Sequence, residues 1–184
     1  ECLVGSEMCI RDSHKPAGIV CTTSKIDKNN VIDYLNFPER IYPVGRLDKE
    51  STGLLLLTNN GQLMDDILRG SNYHEKEYIV HVNKPITDSV LQAMAQGVPI
   101  LDTITRPCKI RRMGKDCFYI TLTQGLNRQI RRMCEYFDYR VTSLKRIRIM
   151  NIELGSLPVG KWRELTPSEI KTLKNLAQNK GEAE

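Results

Sequence analysis

The most constraining feature of the sequence is a run of four leucines at positions 54–57. Gly53 precedes this run, and the turn-forming segment Asn59-Asn60-Gly61 follows it. A short apolar run that is closed off by turn residues is typical of a buried β-strand, whereas a helix needs about ten residues or more. The run therefore predicts a buried strand, with a turn directly after it.

The remaining patterns predict more strands than helices. Short apolar or alternating segments predict strands at residues 18–23, 77–82, 104–112, 117–123, 141–144 and 146–153. Helical spacing predicts helices at residues 30–35, 62–68, 87–97 and 127–137, and a capping box at residues 166–169 predicts a last one. Because strands often follow each other directly, the order predicts an α+β fold with a mostly antiparallel or mixed sheet and packed helices.

Composition argues against several classes of protein. No apolar run approaches the roughly 18 residues of a membrane span, so we expect no membrane association and a soluble protein of the cytoplasm. The six cysteines show no CxxC spacing and form no pair with the three histidines, which favours free thiols and predicts no metal site. Walker, GxGxxG, HExxH and GxSxG motifs are absent from the sequence.

Positive charge is concentrated in residues 105–148. This segment has twelve Lys or Arg against three Asp or Glu, a net charge of +9, whereas the whole chain carries +5. Such an excess is typical of a surface that binds a polyanion, most simply a nucleic acid. A solvated basic face without a partner is the alternative interpretation, and charge alone does not separate the two.

Asp48 is the best candidate for chemistry from the residues themselves. It lies between Arg46 and the leucine run, close to apolar packing. A carboxylate in such a place stays ionised at neutral pH only if a cation pairs with it, and the pair would also orient it as a nucleophile. The alternative is an ordinary loop aspartate that caps or closes a turn.

Four ordered motifs resemble those of pseudouridine synthases, in the RsuA family that modifies single uridines in ribosomal RNA. Residues 45–59 read GRLDKESTGLLLLTN, residues 76–78 read KEY and residues 124–133 read QGLNRQIRRM. Residues 14–18 read HKPAG, with His in place of the family's usual Asn. The resemblance runs from about Lys15 to Leu176, and the 23S rRNA enzymes of the family resemble the chain best.

The resemblance implies a role for each matching residue. Asp48 would be the catalytic aspartate, and Arg131 would be its salt-bridge partner. Tyr78 would stack on the flipped base and take part in catalysis, whereas Arg46 would fill the gap that the base leaves. The alternative for Tyr78 is an ordinary core residue of a strand, and the alternative for Arg131 is a phosphate contact.

Three kinds of supporting contact complete the predicted site. Lys76 would support the pocket and Leu122 would pack against the base, although Leu122 would be a core residue in either case. Arg128 and Arg132 would contact phosphates of the RNA.

The resemblance also implies the activity and the partners. The family isomerises uridine to pseudouridine without a cofactor, so we expect an enzyme with no cofactor, acting on 23S ribosomal RNA as a monomer. The resemblance leaves open whether a tRNA is a second substrate. The alternative is a non-catalytic RNA-binding or ribosome-assembly factor with the same fold.

The domain prediction has three parts. Residues 1–13 resemble no part of the family and are interpreted as a foreign or artefactual leader. Residues 14–178 would form the catalytic domain, and residues 179–184 a frayed tail. Relatives usually carry a small S4-type RNA-binding module before the Lys-Pro motif, and we expect this chain to lack it.

Overall fold

The computed structural model of the chain describes residues 10–69 and 73–179. Its strands are β1 Ile10–Lys15, β2 Tyr42–Pro43, β3 Thr52–Thr58, β4 Lys76–Val82, β5 Pro99–Ile100, β6 Thr103–Ile104, β7 Lys109–Arg112, β8 Cys117–Leu122, β9 Val141–Ile149, β10 Ile152–Glu153 and β11 Trp162–Glu164. Its helices are α1 Val31–Leu35, α2 Gly61–Leu68, α3 Asp88–Gln96, α4 Gln129–Tyr136 and α5 Pro167–Gln178.

The main sheet has the strand order β11-β1-β3-β9-β4-β8-β7, with β2 also pairing β3 and β10 pairing β9. Its pairs are antiparallel except for β3 and β9, which run parallel. A separate small hairpin joins β5 and β6. The predicted α+β fold with a mostly antiparallel, mixed sheet and packed helices is therefore confirmed.

The leucine run forms the interior strand that its sequence predicts. Leu54 and Leu56 pack into a core that also contains α2 and α5 residues, and Leu55 and Leu57 pack into a second core around α1. All four leucines have no exposed surface. A strand buried on both faces has no solvent side, which explains why the run does not alternate with polar residues.

Strand β3 meets β9 where Gly53 lies against Arg146. The backbone of Gly53 has φ +110°, and a Cβ at this position would collide with the backbone of Arg146. Only glycine allows both the conformation and the close approach. The parallel contact that brings β9 beside the loop preceding β3 therefore depends on Gly53.

A third core lies under the helices on the other half of the sheet. Phe118 and Ile120 of β8 pack there against Ile130, Met133 and Cys134 of α4. These α4 residues recur with the helical spacing seen in the sequence, and they fix which face of α4 turns outward. The arginines of the third motif lie away from this apolar face, Arg128 directly before α4 and Arg131 and Arg132 within it.

Several predicted boundaries are wrong. The strand expected at residues 18–23 is reduced to one bridge between Val20 and Asn30. The segment expected as one strand at 104–112 divides into β6 and β7, because Pro107 lies between them and cannot donate to a ladder. Conversely, β9 is one strand that continues through position 145, whereas the sequence predicts two strands that are separated at this position.

The ends of the chain can be described only in part. Residues 10–13 of the predicted leader form the first part of β1, which pairs with both β3 and β11. Asn179 caps α5, whereas residues 1–9 and 180–184 of the leader and tail lie outside the described residues. No helix within the described ranges is long and apolar enough to cross a membrane.

Candidate active site

The loop between β2 and β3 carries Asp48, and backbone contacts fix its shape. The Ser51 amide donates to the Asp48 carbonyl at 3.0 Å, and the Gly18 amide donates to the Lys49 carbonyl at 2.7 Å. The buried Lys15 ammonium donates to the carbonyls of Pro16, Lys49 and Ser51, at 2.8, 3.3 and 2.8 Å. Lys15 thus connects the HKPAG segment to the Asp48 loop.

Asp48 forms an ion pair with α4. Arg131 Nε donates to Asp48 Oδ2 at 3.2 Å, and Arg131 Nη2 donates to Ser51 Oγ at 3.0 Å. Arg128 Nη1 lies farther from the same carboxylate oxygen, at 3.8 Å. The Asp48 side chain keeps 27% of its surface exposed, so it is oriented by Arg131 and still open to a substrate.

The loop before α4 positions these arginines. Gln129 Oε1 accepts from the Leu126 amide at 3.1 Å, and Gln129 Nε2 donates to Gln124 Oε1 at 3.2 Å. Arg128 occupies the N-cap position with a left-handed backbone, φ +50°, and makes no side-chain cap. Its guanidinium instead donates to Glu50 at 3.3 Å, beside the Asp48 loop.

The register of three strands forms the floor of the site. Lys76 pairs with Leu122 of β8, and Tyr78 pairs with Arg146 of β9. Lys76 and Tyr78 are two residues apart on β4, so their side chains leave the same face. Tyr78 also packs against two of the apolar cores, which holds its ring in place.

These residues line one cavity of about 730 Å³. Among the predicted site residues, its lining includes Arg46, Asp48, Lys76, Tyr78, Leu122 and Arg128. Arg131 is not part of the lining and reaches the site through its contact with Asp48. The volume falls in the usual range for small-ligand pockets, so the cavity can hold a single nucleoside.

Arg132 does not point into the cavity. Its guanidinium donates to the Asn127 backbone carbonyl at 3.0 Å and to Asn127 Oδ1 at 3.1 Å. The side chain thus braces the loop before α4 from the exposed side of the helix. A phosphate contact by Arg132 stays a prediction, and it would lie outside the cavity.

Two buried cations at the site, Arg146 in the cavity floor and Lys15 behind the Asp48 loop, were not predicted as they are found. Arg146 is 3% exposed, whereas its sequence context predicts only that it belongs to the basic segment. Burial, and then the charge of Arg146, lower the pKa of Lys76 to about 8. Lys15 was also missed, because its role depends on carbonyl groups and leaves no signal in side-chain patterns.

Part of the basic segment is neutralised within the chain. Arg148 pairs with Glu75 and Glu77 at 3.0 Å each, and Arg112 pairs with Asp88 at 2.7 Å. These acids come from outside residues 105–148, so a charge count of that segment alone overstates its free positive charge. The interface available to a polyanion is smaller than the sequence suggests.

Potential metal ligands do not belong to the cavity. In the described part of the chain, the one such group is His81, Asp116 and Cys117, whose ligand atoms lie within 4.8 Å of one another. None of the three lines the cavity around Asp48. Besides its cations, the cavity lining contains the carboxylates of Asp48 and Glu50, the phenol of Tyr78 and the imidazole of His74.

Comparison with known proteins agrees with this geometry. The RNA pseudouridylate synthase family matches residues 13–136. The chain is 54% identical over 165 residues to the dual-specificity RNA pseudouridine synthase RluF of Salmonella typhi, covering 90% of this chain and 57% of the relative. It is 34% identical over 175 residues to the ribosomal large subunit pseudouridine synthase B of Bacillus subtilis, covering 90% and 71%.

The fold gives the same assignment. A crystal structure of a pseudouridylate synthase superposes with a TM-score of 0.84 and 30% identity, covering 92% of this chain and 75% of that one. The chain spans 57% of the length of the RluF relative. The predicted resemblance is confirmed, and the chain belongs to the RNA pseudouridylate synthase family.

Proposed function

We propose that this chain is the catalytic domain of a ribosomal RNA pseudouridine synthase, which isomerises a specific uridine without a cofactor. The observation that carries the proposal is the Asp48–Arg131 ion pair at a nucleoside-sized cavity with Tyr78 in its floor. A carboxylate held by a cation beside an aromatic platform suits attack on a flipped nucleotide.

The geometry supports a distinct role for each element. A base must leave its helical stack to reach Asp48, which costs a few kcal/mol. Stacking on Tyr78 offsets about 1–3 kcal/mol of this cost, and Arg46 at the cavity rim fills the vacated space. Leu122 packs against the base, and Arg128 adds a phosphate contact outside it.

The substrate proposal rests on the relatives. Two of them are named as a dual-specificity RNA enzyme and a ribosomal large subunit enzyme. We therefore expect 23S ribosomal RNA as the main substrate, in the cytoplasm, with the enzyme acting as a monomer. The words "dual-specificity" agree with a second RNA substrate, for which tRNA is our candidate.

The test compares Asp48→Asn with Asp65→Asn, a matched change at an exposed position of α2. Asp48→Asn should lower pseudouridine formation at least about 1,000-fold, because the nucleophile is lost, while RNA affinity stays within about twofold. Pseudouridine is measured by mass spectrometry after incubation with unmodified 23S rRNA, and affinity by filter binding. Full activity of Asp48→Asn would show that Asp48 is not the nucleophile, whereas a wild-type protein that binds the RNA and forms no pseudouridine would favour the non-catalytic RNA-binding factor and end the enzyme proposal.

A further inference from the structure

Arg146 is a buried cation without an acidic partner. It is 3% exposed, and no carboxylate of the described residues lies within ion-pair distance of its guanidinium. Nε donates to the Leu54 backbone carbonyl at 2.8 Å, whereas Nη2 has no hydrogen-bond acceptor. A guanidinium buried in this way is costly unless a ligand supplies the missing negative charge.

The unpaired guanidinium lies in the floor of the Asp48 cavity. Arg146 and Lys76 both line the cavity, and Arg146 pairs across strands with Tyr78. Lys76 is half-buried on the same face of β4. Their two positive charges are close enough that Arg146 makes protonation of Lys76 less favourable.

The two carboxylates in the cavity lining do not cancel these charges, since Glu50 pairs with Arg128 at 3.3 Å. Asp48 is engaged by Arg131 at 3.2 Å, and Arg128 lies 3.8 Å from the same oxygen. The floor beneath Tyr78 is therefore cationic while the rim already contains a neutralised pair. A floor of this kind favours a ligand that becomes negative after it has entered.

We propose that Arg146 and Lys76 form an anion site that holds the detached uracil as its anion between bond cleavage and reattachment. This inference rests on the proposed function. The Asp48 carboxylate bonds to C1′ as the C1′–N1 bond breaks, so the electron pair of that bond stays on N1 and the charge spreads to the ring oxygens. After the ring turns, C5 bonds to C1′ and displaces the Asp48 carboxylate, a proton leaves C5 and a proton is taken up at N1.

A backbone phosphate is the other anion that the substrate offers, and the geometry disfavours it. Arg146 lies under the cavity between β3 and β4, beside the ring that stacks on the base. The base of a flipped nucleotide enters deepest, whereas its phosphates stay near the rim, where Arg46 and Arg128 are placed. The anion that reaches Arg146 is therefore the base.

The first test is an equilibrium titration that needs no turnover. 5-Nitrouracil is an anion at neutral pH and uracil is neutral, so the wild-type protein should bind 5-nitrouracil at least about tenfold more tightly. Lys76→Met and Arg146→Gln should lose this preference, whereas Lys171→Met, on the exposed face of α5, should keep it. If Arg146→Gln does not fold, Lys76→Met decides the result.

Equal binding of the two bases by the wild type, or an unchanged preference in the folded variants, overturns the anion site. Because binding is measured without catalysis, a wild-type protein without activity would overturn the proposed function, while the titration would still decide whether the anion site exists. The two failures are therefore distinguishable.

The second test varies the leaving group in RNA. Fluorine at C5 makes the detached base a weaker base, so it needs less stabilisation as an anion. Lys76→Met should slow single-turnover loss of the N-glycosidic bond about 100-fold with uridine, and less than about tenfold with 5-fluorouridine. An equal loss of rate with both substrates would indicate that Lys76 and Arg146 contact a phosphate, and it would contradict the proposal.

Discussion

Strand β1 buries a charge at Asp12 and another at its end, at Lys15, and the two are treated in opposite ways. Lys15 is 1% exposed, and its ammonium donates to three backbone carbonyls. Asp12 has no exposed surface, and neither of its carboxylate oxygens accepts a well-aligned hydrogen bond, although Arg163 Nε lies 3.0 Å from one of them. One charge is fully engaged, and the other is poorly compensated.

The difference shows what makes a buried charge useful. Two of the carbonyls around Lys15 belong to the loop that carries Asp48. The hydrogen bonds that offset the cost of burying the ammonium therefore also fix the catalytic loop. Asp12 lies between Leu56 of β3 and Arg163 of β11, and it is not part of the cavity lining. Burial raises the pKa of Asp12 to about 6, whereas burial lowers the pKa of Lys15.

The largest effect is expected from Lys15→Met. Three carbonyls lose a charged donor inside the fold, which should lower the free energy of unfolding by about 3 kcal/mol or more. The Asp48 loop also loses its anchor, so kcat should fall about 100-fold in protein that is still folded. Chemical denaturation and single-turnover assays measure the two quantities.

Two variants make this prediction specific. Lys171→Met repeats the substitution on an exposed face of α5 and should change neither quantity. Lys15→Arg keeps a donor and should recover part of the activity. A Lys15→Met protein with wild-type kcat would show that the loop holds its shape without the ammonium, and the comparison with Asp12 would fail.

The next effect has the opposite sign. Asp12→Val should raise the free energy of unfolding by about 2 kcal/mol, because an apolar side chain suits the core beside Leu56. Arg163 keeps its two hydrogen bonds to Glu169, at 3.0 and 2.8 Å, so no cation is left unpaired. Thermal and urea unfolding of the two proteins measure the difference.

Asp12→Asn is the matched control, because it removes the charge and keeps the shape. It should lie between the wild type and Asp12→Val, since its amide is still buried without partners. A loss of stability in both variants would mean that the carboxylate is well compensated. Pseudouridine formation should be unchanged in both.

The sequence predicted what depends on local pattern. The leucine run, the apolar face of α4 and the capping box of α5 each follow from spacing that a single element decides. The motif containing Asp48 and the motif containing Arg131 indicated residues that the fold brings into contact. Their specific roles in catalysis remain predictions.

What the sequence could not predict depends on register between distant strands. Arg146 is one of several arginines in a basic segment, and only its pairing with Tyr78 and Gly53 places it in the cavity floor. The ion pairs of Arg148 likewise involve acids about 70 residues earlier in the chain. Neither contact leaves a periodic signal, so both appear only in three dimensions.

The smallest expected effect is the pH dependence of the Asp12 contribution. The folded-state pKa is about 6 and the ordinary value is 3.8, so between these limits the folded chain binds more protons than the unfolded chain. The free energy of unfolding that depends on Asp12 therefore falls as pH rises from 3.8 to about 6, and it rises again when the carboxyl is protonated at lower pH. From pH 7 to pH 5 the wild type should gain about 1 kcal/mol relative to Asp12→Val.

The difference between the two proteins isolates this group. Glu169 has its pKa lowered to about 2, chiefly by its hydrogen bonds with Arg163, so its contribution is lost only as pH falls below about 4.5. That loss is common to both proteins and cancels in the difference. Urea denaturation of both proteins at several pH values between 5 and 8 gives the curve. A flat difference would show that Asp12 is ionised at both ends of the range, and its carboxylate would then be as well held as the ammonium of Lys15.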